Sequence, residues 1–153
     1  MHPLHNTVGT WAGANAFRMM PDDPFVEAPA TAAAQLQAQG HGWLLRYTWE
    51  HPEDGEQAGT IFVGSPDQDG TVTAGWVDSW HQQPALRVLT GAATTTAEGP
   101  QVNLEAEYDD GWRWQIQLIT TSAGLQMVMN NVIPDDHESG AAGPYPVMVG
   151  NWA

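Results

Sequence analysis

The run Trp76-Val77-Asp78-Ser79-Trp80-His81-Gln82 concentrates side chains that could do chemistry. Asp78 and His81 stand three residues apart. Strand alternation puts Asp78 on the face that carries Trp76 and Trp80. A carboxyl among indoles is expected to have a raised pKa by desolvation unless a cation meets it, and Arg46, Arg113 and His81 are the available partners. Asp78 and His81 then either anchor the polar end of a ligand or exchange protons with it. The structural alternative makes Asp78 a strand-end cap for backbone N–H groups and His81 a rim residue.

Other candidates surround this pair. Arg46, between Leu45 and Tyr47, falls on the face opposite the Trp ladder. It is suited to a ligand carboxylate, or else to an aromatic ring or a cross-strand Glu. Arg113, flanked by Trp112 and Trp114, has the same readings, with stacking favoured. Trp43, Tyr47, Trp49, Trp76, Trp80, Trp114, Met127 and Met129 form an apolar set that serves as core or as the wall of a pocket. Met beside rigid Trp suits an adaptable apolar site.

Much chemistry is excluded. With no Cys, disulfides, thiol catalysis and Cys-based metal sites are absent. The six His show no metal-ligand spacing, so no metal is expected. Ser65, Ser79, Ser122 and Ser139 lack a nucleophile-elbow context. The pairs Asp22-Asp23, Asp109-Asp110 and Asp135-Asp136 fall in turns and read as solvated charge, with no 12-residue calcium loop. Eighteen acidic residues against four Arg and no Lys give a net charge of −14. That balance argues against nucleic acid and anionic membrane as partners, and the absence of Lys removes Schiff-base and P-loop chemistry. MHPLHNTVGTW lacks the basic and apolar regions of a signal peptide, and no run approaches 18 apolar residues. A soluble cytoplasmic protein is expected.

These side chains need elements to hold them. The chain has 153 residues, enough for one domain over positions 1–153 with its own core. Only 14% of residues are charged while 8 are Trp, which no disordered acidic chain would show. Period-2 alternation dominates. Trp43, Leu45, Tyr47 and Trp49 share one face of a strand over His41–Glu50; Thr71–Trp80, Gln101–Tyr108, Trp112–Ile119 and Leu125–Met129 follow the same rule. Pro52–Gly55, Pro66–Gly70, Asp109–Gly111 and Ser122–Gly124 read as hairpin turns. With strands near Val8–Phe17, Val26–Ala38 and Tyr145–Trp152, about ten are expected. Ala30–Gln39 has helix-forming residues, but strand is favoured there, and Asp135–Pro144 reads as a flexible loop. The expected fold is all-β: a single up-and-down antiparallel barrel of about ten strands, with a β-sandwich as runner-up.

The opening run Val8-Gly9-Thr10-Trp11-Ala12-Gly13 resembles the Gly-x-Trp signature of calycin barrels, the lipocalin and fatty-acid-binding-protein group. With Gly13 two residues after the Trp it looks more like the opening of nitrobindin-like barrels. Arg46–Glu50 and Trp76–Gln82 are similar to small bacterial proteins of this type. The resemblance implies that Trp11 closes the bottom of the barrel while neighbouring glycines permit close packing. A lipocalin's C-terminal Arg over that indole is missing, since the last Arg is Arg113. Nitrobindin-like barrels hold haem through a His near the last strand. Tyr145–Trp152 has none, so no haem and no other cofactor is carried over.

The leading expectation is a barrel that binds an apolar or aromatic small molecule in its interior, with Asp78, His81 and Arg46 as polar anchors. A second is a cofactor-independent isomerase, cyclase or hydratase using Asp78 and His81 as acid and base. A third is a structural module with a filled barrel, whose surface forms a homodimer.

Overall fold

A computed structural model describes residues 1–138 and 141–153. Ser139 and Gly140, part of the expected loop over 135–144, lie outside the described residues. Ten strands run in chain order: β1 (Gly9–Phe17), β2 (Val26–Gln37), β3 (Gly42–His51), β4 (Gly55–Gly64), β5 (Val72–Asp78), β6 (Arg87–Thr96), β7 (Gly99–Asp109), β8 (Trp112–Thr120), β9 (Leu125–Ile133) and β10 (Gly143–Trp152). Each pairs antiparallel with its neighbours in sequence, and β1 pairs with β10, closing the barrel. Closure leaves no edge strand to protect. The expected meander is present. Ala30–Gln37 is strand, as expected, and the chain turns through a short 3-10 segment at Ala38–Gly40. The last strand starts two residues earlier than the sequence suggests, at Gly143.

Alternation sorts the side chains. On β3 Trp43, Leu45, Tyr47 and Trp49 are buried while Arg46 and Glu50 are exposed. On β8 Ile116 and Leu118 are buried with Gln115 and Gln117 outside. The outer face is laced by amide and hydroxyl pairs, including Asn130–Gln115, Gln117–Asn103, Gln126–Asn151 and Thr31–Thr48. Such uncharged ladders are how a protein with few charged residues keeps a polar surface.

Four indoles, Trp43, Trp49, Trp76 and Trp152, together with Tyr47, point inward and occupy much of the lumen. A ten-strand barrel is wide enough for side chains or a small ligand, and here bulky side chains take up much of that space. Close strand approach makes this packing achievable. A Cβ at Gly13 would overlap the Asn151 carbonyl on β10, so only glycine fits there.

The two ends differ. One is plugged by the N-terminal segment, where His2 and Leu4 are fully buried and Thr7 nearly so. The Trp43 indole donates to the Thr7 carbonyl at 2.7 Å, and His2 Nε2 donates to the Val63 carbonyl at 3.1 Å. Trp11, partly buried, packs near the Gly124 turn at this same end. The other end, the mouth, is bordered by the β1–β2, β3–β4, β5–β6, β7–β8 and β9–β10 connections.

Candidate functional site

Strand β5 delivers Asp78 to the mouth and ends there, two residues before the sequence reading expects. The cause is the carboxylate itself. Asp78 Oδ1 accepts from the backbone N–H groups of Trp80 (3.1 Å), His81 and Gln82 (2.9 Å), while Asp78 N donates to Gln82 O at 2.8 Å. A side chain that captures the next few amides turns the chain out of the sheet. Ser79 pins the loop to β4: its hydroxyl donates to Gln57 Oε1 at 2.8 Å and accepts from Ala58 N at 2.9 Å.

The other oxygen faces inward. Tyr47 donates to Asp78 Oδ2 at 2.8 Å, the Trp76 indole donates to the Tyr47 oxygen at 3.0 Å, and His81 Nδ1 reaches Oδ2 at 3.3 Å. The strand-end capping that the sequence offers for Asp78 is thus present on one oxygen, while the other is held by Tyr47 and His81. Of the partners the sequence offers Asp78, His81 is the one that meets it, so its pKa is not raised. Burial pushes it up, but His81 and the backbone amides outweigh burial and hold it below the ordinary carboxylate value. Burial, then the Asp78 charge, keeps the Tyr47 phenol well above its ordinary range, so it stays a donor. Gly59 makes the arrangement achievable: a Cβ there would overlap the Tyr47 phenol and crowd Asp78.

His81 also faces a cleft of about 160 Å³ lined with Trp76, Gln82, Arg87, Tyr108 and Trp114. The Trp76 and Trp114 rings stack with centroids 5.6 Å apart and planes 13° from parallel, and His81 leans on Trp114 at 5.2 Å. Arg87 lies directly across from Trp76 in the β5–β6 register. Tyr108 occupies the register shift between Glu107 and Asp109, a bulge of the kind that re-aims a side chain. Its hydroxyl donates to Asn131 Oδ1 at 2.7 Å. Trp114 Nε1 is buried with no hydrogen-bond partner, as is the Trp152 indole N–H. The fully buried Asn15 amide on β1 is unpartnered too, at a cost of about 1–3 kcal/mol.

Of the side chains marked by sequence, Trp76, Asp78, His81 and Trp114 meet at this mouth, with Tyr47 behind them. Trp43, Met127 and Met129 are fully buried and pack the core. Trp49 and Trp80 join a neighbouring cluster with Phe17 and His51, in which Trp80 stacks on His51 at 4.3 Å. Arg46 stands on the outer surface among Thr10, Thr31, Thr48 and Thr60, because the pleat that turns Tyr47 inward turns its neighbour outward. Arg113 does not stack on its flanking indoles; it pairs with Glu105 outside at 2.9 Å.

Gln82, Arg87 and Tyr108 complete the cleft lining. The signals for them were slight: a scarce cation at a strand start, and an aromatic residue beside the Asp109-Asp110-Gly111 turn. Among the described residues no three His, Asp or Glu side chains converge as a metal site would require. No protein-family model matches this chain, and no curated protein matches it.

Proposed function

We propose that this protein is a calycin-like barrel that binds a small aromatic molecule at its mouth, in the cleft between His81, Arg87 and the Trp76–Trp114 pair. The carrying observation is an aromatic wall with convergent polar groups in one recess, the ordinary make-up of a small-molecule site. The closed ten-strand meander with Gly-x-Trp on β1 supports the calycin reading. The polar outer face and apolar interior are the inverse of a lipid-facing barrel, which supports a barrel working in water. No helix among the described residues is long and apolar enough to cross a membrane.

Titrating benzamide while following Trp fluorescence tests this reading. Saturable quenching is expected, weakened about three- to tenfold in Trp114→Ala, with far-UV circular dichroism confirming the fold. No saturation below about 10 mM in the unaltered protein would sink it.

One observation favours a second reading, proton transfer by His81. A carboxylate that holds Nδ1–H of an imidazole leaves Nε2 to act as base toward a substrate. If so, His81→Gln abolishes turnover of an aromatic substrate while its affinity survives. Equal turnover in the variant and the parent protein would rule this reading out.

A further inference from the structure

We infer that the ligand of the mouth cleft is a single-ring aromatic carboxylate, and that Arg87 is its anion receptor. This rests on the cleft being a ligand site and adds the chemical class of what enters it.

The four scarce cations have different fates. Arg18 is spent on structure: it donates to the Pro146 and Pro21 carbonyls and lies 4.3 Å over the Phe25 ring. Arg113 pairs with Glu105, and Arg46 stands on the outer wall. Arg87 alone lines the cleft, and among the described residues it meets no carboxylate. In a chain with 18 acidic residues that is an uncommon position for an arginine. Asp78, the buried carboxylate of the mouth, does not supply the missing partner, since its oxygens accept from Tyr47, His81 and three backbone amides.

The guanidinium is also oriented. Arg87 Nε donates to Gln82 Oε1 at 3.3 Å, and Gln82 is itself held by donating to the Ala85 carbonyl at 2.8 Å. With Nε engaged, the two Nη groups remain for a planar, two-oxygen acceptor, the geometry in which Arg binds carboxylates most strongly. The indoles beside it supply flat apolar faces. Size limits the rest of the ligand: an apolar cavity of about 150 Å³ accepts benzene, so a cleft of about 160 Å³ suits one ring with one small substituent.

The test compares benzoate with its neutral near-isostere benzamide by calorimetric titration of the full chain, unaltered and as Arg87→Gln. Benzoate is expected to bind the unaltered protein about ten- to a hundredfold more tightly than benzamide. That preference should vanish in Arg87→Gln, with far-UV circular dichroism showing that the variant is folded. Equal affinities in the unaltered protein, or a preference that survives Arg87→Gln, would overturn the anion receptor and leave the aromatic cleft standing. Failure of both ligands to bind would overturn the cleft as well.

Discussion

At the scale of single residues, Asp78 organises the mouth. One of its oxygens shapes the β5–β6 loop and the other gathers Tyr47 and His81, so one side chain sets both backbone path and site geometry. Replacing it by Asn puts an amide donor where two donors already point. Asp78→Asn is expected to lower stability by about 2–3 kcal/mol, read from urea unfolding near neutral pH. The pH dependence follows from the same contacts. A carboxyl held below its ordinary value of 3.8 stabilises the fold above that pH and loses the contribution as pH falls through its lower folded-state value. The Asn variant should lack this acid-side component. An unchanged stability profile below pH 3.8 would show that these hydrogen bonds contribute nothing net.

At the scale of elements, the N-terminal segment behaves as a plug. The first residues of a chain ordinarily fray. Instead His2 is fully buried, its Nδ1 accepting from Leu4 N at 3.1 Å and its Nε2 bonded to the Val63 carbonyl. Both nitrogens are used in the neutral form. Burial, opposed by hydrogen bonds to β4 carbonyls and reinforced by nearby His5, lowers the His2 pKa below 6.5. The unfolded chain therefore binds this proton more readily than the folded one. The plug is fully stabilising above pH 6.5 and weakens as pH falls from there toward the lowered folded value. Thermal melts across that range should show a declining midpoint that flattens in His2→Leu. A decline of the same size in both proteins would place its origin elsewhere.

At the scale of the whole molecule, the N-terminal segment plugs one end, indoles and Tyr47 crowd the lumen, and the mouth brings polar and aromatic groups together at the surface. Tyr47, Trp76 and Trp152 occupy the volume that a lipocalin-like reading assigns to a ligand, so the interior supports the recess above it. The lumen is thus crowded, and the proposed ligand cleft lies at the mouth. The charge distribution matches this division. Acidic residues lie largely on the outside, Asp78 is buried and compensated, and Arg87 faces the cleft.

The strands, their order and their inward faces were legible in the sequence, because a pleat with period 2 writes burial directly into alternation, as at Trp43–Trp49 and Trp112–Leu118. Hairpin turns between them left little choice beyond a meander. Side-chain volumes in the lumen, and meetings across strands, were not legible. Arg87 opposite Trp76, Gly59 beneath Tyr47 and His2 against Val63 each depend on register, closure or the return of a terminal segment. Local patterning says which way a residue faces, whereas its neighbours are set by how ten strands close on one another.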